Sequence, residues 1–214
     1  MATKKEVQES KEVKGQTVVI SPPNFKTIEF KIEGTAPFVQ LRFTEKAKNK
    51  MLEDMASETK TKKKKDPREY EKEFIGAMYE GEKGMRGIPA AAFRNAMISA
   101  CRTVGFKMTL AKLSVFVEAD GFDKSEGTPL VKIEGTPELC QHATRNANGG
   151  TDIRTRAMWK KWNAIVKVRY DADQFNQNDV ANLMMRVGMQ VGIGEGRPDG
   201  RMSAGMGWGL FKLV

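Results

Sequence analysis

Val191-Gly-Ile-Gly-Glu-Gly-Arg-Pro-Asp-Gly-Arg-Met-Ser-Ala-Gly-Met-Gly-Trp-Gly-Leu-Phe-Lys-Leu213 is the stretch on which the fold turns. Gly192, Gly194 and Gly196 lead it, Gly200 interrupts it, and Gly205, Gly207 and Gly209 close it. Glycine is favoured where a chain needs positive φ or must lie close to another group. Such a density describes a loop whose main chain is itself a contact surface, with Arg197 and Arg201 inside it. The exit, Trp208 to Leu213, reads as a last strand. Cations on a glycine-rich loop beside a strand suit a polyanion better than an apolar metabolite. A hairpin connection whose glycines serve only turn chemistry fits the same residues. The spacing matches neither the G-x-G-x-x-G dinucleotide fingerprint nor the G-x-x-x-x-G-K-[ST] phosphate loop.

Outward from this loop, Val180 to Val191 predicts an amphipathic helix with Leu183, Met184, Val187 and Val191 inward. Asp171 to Asn178 supplies turn and cap residues, and Asn163-Ala-Ile-Val-Lys-Val-Arg-Tyr170 reads as a strong strand. The first half of the chain carries a similar set. Ile28, Phe30 and Ile32 alternate with Glu29, Lys31 and Glu33, the period of a half-buried strand. Gly34 to Pro37 breaks that strand, and Phe38 to Phe43 continues the sheet beyond the kink. Gly87 to Arg102 is the clearest helix, with Pro89 at a first helical position and Phe93, Met97, Ile98 and Cys101 on one face. Ala111 to Glu118 and Leu130 to Glu134 read as two strands of a hairpin. Gly135 to Thr155 reads as irregular, loosest at Asn146 to Gly150. Without insertions the order is β-α-β-β-α-β, a ferredoxin-like α+β fold shared with RNA-recognition modules, with one further strand at an edge. The aromatic strand signature of those modules is absent, so the motifs do not point to a base-stacking sheet.

With 214 residues, 40% hydrophobic and 29% charged, the chain has the make-up of a globular protein with one core and room for insertions. No apolar run approaches the roughly 20 residues of a membrane span. The first residues are charged and lack the apolar centre of a secretory leader. Cys101 and Cys140 are too few for a secreted disulfide framework, which points to free thiols and a cytoplasmic setting. The formal net charge of +9 favours a polyanionic partner.

Residues 1–26 read as a flexible arm and residues 27–214 as one domain with insertions at 44–84 and 135–160. The first insertion carries helical spacing over Glu45 to Met55 and Pro67 to Tyr79. Between them, Thr59 to Asp66 contains Lys62, Lys63, Lys64 and Lys65, a self-repelling run. It fits a solvated connection, and equally an arm that closes over a phosphate backbone. The second insertion leads into Arg145, Arg154, Arg156, Lys160, Lys161, Lys167 and Arg169, against the single acid Asp152. Trp159 and Trp162 are interleaved with these cations. Arginine forks two bonds onto a phosphate, and a tryptophan offers a base a stacking face worth about 1–3 kcal/mol. Trp162 also fits as the first core residue of its strand.

His142 is the only histidine, so no multi-histidine metal site can form, and Cys140 with His142 falls short of a structural zinc site. No cofactor is implied. A metal-independent ribonuclease with His142 as general base is the enzymatic alternative. A self-assembling structural protein is a third class.

Two stretches carry a family resemblance. Gly192-Ile-Gly194, a spacer, and Gly205-Met-Gly207-Trp-Gly209 resemble the glycine-rich loop of the repeat-associated (RAMP) proteins of CRISPR effectors. Ile88-Pro-Ala-Ala-Ala-Phe-Arg94 is similar to the opening of the first helix in their guide-RNA-binding backbone subunits. Ile153-Arg-Thr-Arg156 and the Gly192-to-Pro198 turn fit the same company, and the likeness covers Thr27 to Val214. It implies a ferredoxin-like palm with a helical thumb, polymerising along RNA through backbone contacts, with other effector subunits as partners. A stand-alone or phage-borne relative is equally compatible. The long spacer between the glycine clusters and the lysine-rich insertion depart from the usual pattern. The expected function is single-stranded nucleic-acid binding, RNA before DNA, without strong sequence preference and in an oligomer or filament. The expected contacts are Ala91, Arg94, Arg145, Arg154, Arg156, Trp159, Lys160, Lys161, Gly194, Arg197, Arg201, Gly205 and Lys62 to Lys65.

Overall fold

The apolar alternation read at Ile28 to Ile32 and along Asn163 to Tyr170 builds the centre of the molecule. A computed structural model describes residues 21–43, 45–56, 68–145, 150–200 and 205–214, with backbone alone at 45–47, 144 and 145. In chain order these form β1 (Phe25–Gly34), β2 (Phe38–Gln40), α1 (Glu45–Ala56), α2 (Tyr70–Gly76), β3 (Tyr79–Glu80), β4 (Arg86–Pro89) and α3 (Ala90–Ala100). Next come α4 (Met108–Ser114), β5 (Val115–Val117), β6 (Gly121–Phe122), β7 (Pro129–Glu134), β8 (Pro137–Arg145) and β9 (Thr151–Trp159). The chain then runs through β10 (Asn163–Asp171), α5 (Gln177–Arg186), a wide π turn (Val187–Val191) and β11 (Phe211–Leu213). No helix among the described residues is long and apolar enough to cross a membrane.

The protein is α+β with antiparallel pairing. β1 lies against β10 in register from Phe25 opposite Asp171 to Glu33 opposite Asn163, with Ile28 opposite Val168. Period-two alternation sends Phe30, Ile32, Ala164, Val166, Val168 and Tyr170 to the buried side and leaves Glu29, Lys31, Ile165 and Arg169 outside. The large sheet runs β11-β1-β10-β7-β4-β3, with β5 also on β10 and β6 also on β7. A second sheet has the order β2-β9-β8.

α3 and α5 complete the core. Phe93, Met97 and Ala100 of α3 join Val180, Leu183 and Met184 of α5 and the inward strand residues in one apolar cluster. Burying a side chain such as Phe93 contributes roughly 1.5–3 kcal/mol. α5 opens with the capping box that Asn176 and Asp179 encode, each side chain bonded to the other's backbone N–H.

Several expectations change, the first being that Phe38–Gln40 does not continue the sheet of β1 beyond the kink but pairs with β9 in the second sheet. Met108 to Ser114 is a helix, because Ala111 and Ser114 are buried while Leu113 is 71% exposed. Only Val115 to Val117 is strand, and it pairs with β10 rather than with β7. The segment expected to be irregular forms the β8–β9 hairpin, paired from Pro137 opposite Trp159 to Arg145 opposite Thr151. Its burial alternates only from Thr155 onward, so half of it lacks the pattern that reveals a strand. The helix expected from Gly87 begins at Ala90, since Arg86 to Pro89 pairs with β7. The expected arm lies outside the described residues up to position 20, and Phe25 and Lys26 already belong to β1.

Candidate nucleic-acid interface

α3 follows β4 without a loop. Pro89, at φ −52° and ψ 125°, is the last non-helical residue, so the proline precedes the helix rather than opening it. No side chain caps α3 and no acidic residue occupies its first turn. Its leading amides keep their partial positive charge and their donor capacity for an anion. Ala91 is exposed and Ala92 half-buried, so the backbone there is approachable.

A cleft of about 660 Å3 separates the outer face of α3 from the glycine segment. Ala92, Asn95 and Ser99 line one side, and Ile193, Gly194, Glu195 and Arg197 line the other. Phe38 to Leu41 contribute a third side, and Met108 and Lys112 of α4 also line it. Asp199 accepts from the Ser99 hydroxyl and from Arg102 at 2.5 Å. The Ser99 hydroxyl and the Arg102 guanidinium hold its carboxyl below the usual range, overcoming the opposing effect of burial. The cleft thus carries an anion that is already neutralised.

The glycine segment is ordered by its own main chain. Glu195 N–H donates to Val39 O at 2.9 Å, Met206 N–H to Gly196 O at 2.7 Å, and Gly209 N–H to Pro37 O at 2.8 Å. Gly194 has φ +78°, and a Cβ there would stand 2.6 Å from the Phe38 ring. At Gly209 (φ +72°) a Cβ would overlap Ile193 O. Close internal packing therefore accounts for both glycines, as the turn-chemistry alternative expects. What this segment presents to the cleft includes Gly194, Glu195 and Arg197, with Arg197 Nη1 held on Gly194 O at 2.9 Å.

Arg154 and Arg156 occupy one face of β9, two residues apart, and share a single partner. Arg156 Nε donates to Glu195, and Arg154 Nη1 stands 3.6 Å from the other oxygen of that carboxylate. The Arg156 side chain is only 11% exposed. His142 lies opposite Arg154 in the hairpin register and meets Trp208 edge-on at 5.4 Å between ring centroids. Burial lowers the His142 pKa, and Arg156 and Arg154 push the same way against the pull of Glu195. The His142 Nδ1 is buried and has no hydrogen-bond partner among the described residues.

The other expected contacts divide clearly. Gly194 and Arg197 come together at the cleft, with Arg154 and Arg156 joined to its wall through Glu195, whereas Ala91 of α3 is exposed and does not line it. Arg94 points elsewhere: its Nε and Nη2 donate to Val115 O (2.9 Å) and Lys112 O (2.5 Å), and its guanidinium lies over Phe116. Trp159 is fully buried, tilted against Phe38 at 5.5 Å, so the expected stacking face is core instead. Trp162 is core as well, its indole N–H bonded to Ala36 O at 2.9 Å. Lys160 pairs with Glu138 at 2.6 Å, and Lys161 is exposed in the turn before β10. Gly205 is exposed and folds back on Gly196 and Arg197. Arg201, Lys62 to Lys65 and the Arg145 side chain lie outside the described residues.

Sequence reasoning passed over Glu195 and Trp208. Glu195 was visible as the acid inside the glycine segment, but its pairing with Arg156 spans 39 positions and exists only in the fold. No protein-family model matches the chain, and no curated protein matches it.

Proposed function

We propose that the protein binds single-stranded nucleic acid, RNA in preference to DNA, by its sugar-phosphate thread and without strong sequence preference. One observation carries the proposal: α3, which no side chain caps, lines a cleft from Ala92 to Ser99 opposite Ile193 to Arg197 of the glycine segment, and Glu195 of that segment holds the paired arginines of β9. Backbone amides at a helix start and forked guanidinium groups both match phosphate oxygens. A phosphate entering beside Arg154 and Arg156 replaces the Glu195 carboxylate as their counter-anion. That exchange avoids stranding a partly buried charge.

The topology supports a ferredoxin-like frame inside the larger sheet. β1, α3, β5, β10, α5 and β11 follow one another as β-α-β-β-α-β, and their strands lie in the order β11-β1-β10-β5. β4, β7 and the β8–β9 hairpin are then additions, and α1 with α2 forms the helical insertion. This frame suits the RAMP-like palm that the glycine segment and the Ile88-to-Arg94 stretch resemble. Assembly of copies along one strand, with other effector subunits or alone, follows from that likeness.

The test is direct. Protein purified without nuclease at low salt should carry nucleic acid, seen as a raised absorbance ratio at 260 over 280 nm. The extracted strands should be RNA of mixed sequence. A protein that stays free of nucleic acid and assembles regardless would be a structural protein instead.

A further inference from the structure

The face of the large sheet turned away from α3 carries an arrangement that the cleft does not use. Period-two alternation puts Phe25, Thr27 and Glu29 of β1 beside Asp171, Arg169 and Lys167 of β10, and Phe116 of β5 directly opposite Arg169. Phe25 and Phe116 meet edge to face, 5.7 Å apart and 77° inclined. The Arg169 guanidinium carbon lies 5.2 Å from both ring centroids. Arg94 reaches Phe116 as well, at 4.6 Å.

The two arginines differ in what remains free. Arg94 spends Nε and Nη2 on backbone carbonyls. Arg169 makes no hydrogen bond or ion pair among the described residues, and the two rings are its partners there. Stacking fixes the plane of a guanidinium while leaving its N–H edge unoccupied, which pre-orients the fork for a phosphate. Of the acids near this face, Glu118 accepts from Thr27 and Asp171 accepts from the Asp173 amide. Phe25 keeps 38% of its surface exposed beside this fork. An exposed ring adjoining a free guanidinium offers one nucleotide both a stacking plane and an anchor for its phosphate.

We infer that Phe25, Phe116 and Arg169 form a nucleotide subsite on the open face of the sheet, taking an unpaired base on Phe25 and its phosphate on Arg169. The subsite rests on the single-strand reading and extends it to the opposite side of the sheet. It supplies the stacking aromatic that Trp159, being buried, does not.

The experiment uses the full chain and a fluorescein-labelled oligouridylate, with affinity read by anisotropy over a salt series. Phe25→Ala should weaken binding roughly 5- to 100-fold, the range of one base stacked on an aromatic ring, and Phe25→Trp should restore it. Arg169→Gln should lower the slope of log K against log salt by about one phosphate contact. Ultraviolet cross-linking should place a uridine on the peptide containing Phe25. Thermal melting identifies any variant that fails to fold, and the cross-link on the unaltered chain stands independently of it. Wild-type affinity in folded Phe25→Ala and Arg169→Gln, with the cross-link elsewhere, overturns the subsite and leaves the cleft intact. Absence of binding by the wild-type protein overturns both.

Discussion

Arg154 and Arg156 on β9 share the Glu195 carboxylate, whereas Arg169 on β10 has phenylalanine rings and no anion among the described residues. The first pair is partly buried and holds the glycine segment in place. The second is exposed and holds nothing. The sequence puts all three arginines in one basic set with tryptophans interspersed, yet folding pairs Arg154 and Arg156 with an acid and leaves Arg169 available. The count of cations is therefore a poor guide to where a polyanion docks. Which cations lack an acid in the fold is the better one.

The aromatics divide the same way. Trp159 is fully buried against Phe38, while Phe25 stands at the sheet surface. Trp159→Ala should lose about 3–5 kcal/mol of stability, as large aromatic deletions in a core do. Phe25→Ala should lose under about 1 kcal/mol, as surface changes do. Urea denaturation of the two variants separates them, and equal losses would erase the distinction.

Glu195→Gln sharpens the contrast between the arginine clusters. It releases Arg154 and Arg156 from their carboxylate, so oligouridylate affinity should rise roughly 3- to 10-fold, about one power of ten at most. Stability should fall by about 1–3 kcal/mol, because the partly buried Arg156 guanidinium loses its charged partner. Weaker binding in that variant would make Glu195 an organiser of the site rather than a competitor for it.

Much of the frame was legible because burial follows the period of the element. β1 and β10 alternate along most of their length, and Phe93, Met97 and Ala100 mark the inner face of α3. The β8–β9 hairpin escaped detection because the part carrying Ile153, 51% exposed, extends past the core and loses its apolar side. Asn146 to Gly150, between its two strands, reads in the sequence as loose chain. At Met108 to Ser114 the apparent alternation of Leu113, Val115 and Val117 mixed a helix with the strand after it. The helix start and the glycine segment were both legible as candidate contacts, and the fold brings them to one cleft. The pairing of Glu195 with the arginines, and of Arg169 with Phe25, was not legible. Both join residues far apart in the chain.

The measurement that bears most directly on the central claim is oligouridylate affinity across a salt series, for the wild-type protein and for Arg154→Glu with Arg156→Glu. The account predicts tight binding at low salt that weakens steeply as salt rises. It also predicts a loss of about 100-fold or more in the double variant, more than the two phosphate contacts alone would supply because the new charges repel the strand. Unchanged affinity in a folded double variant, or wild-type binding indifferent to salt, would contradict it.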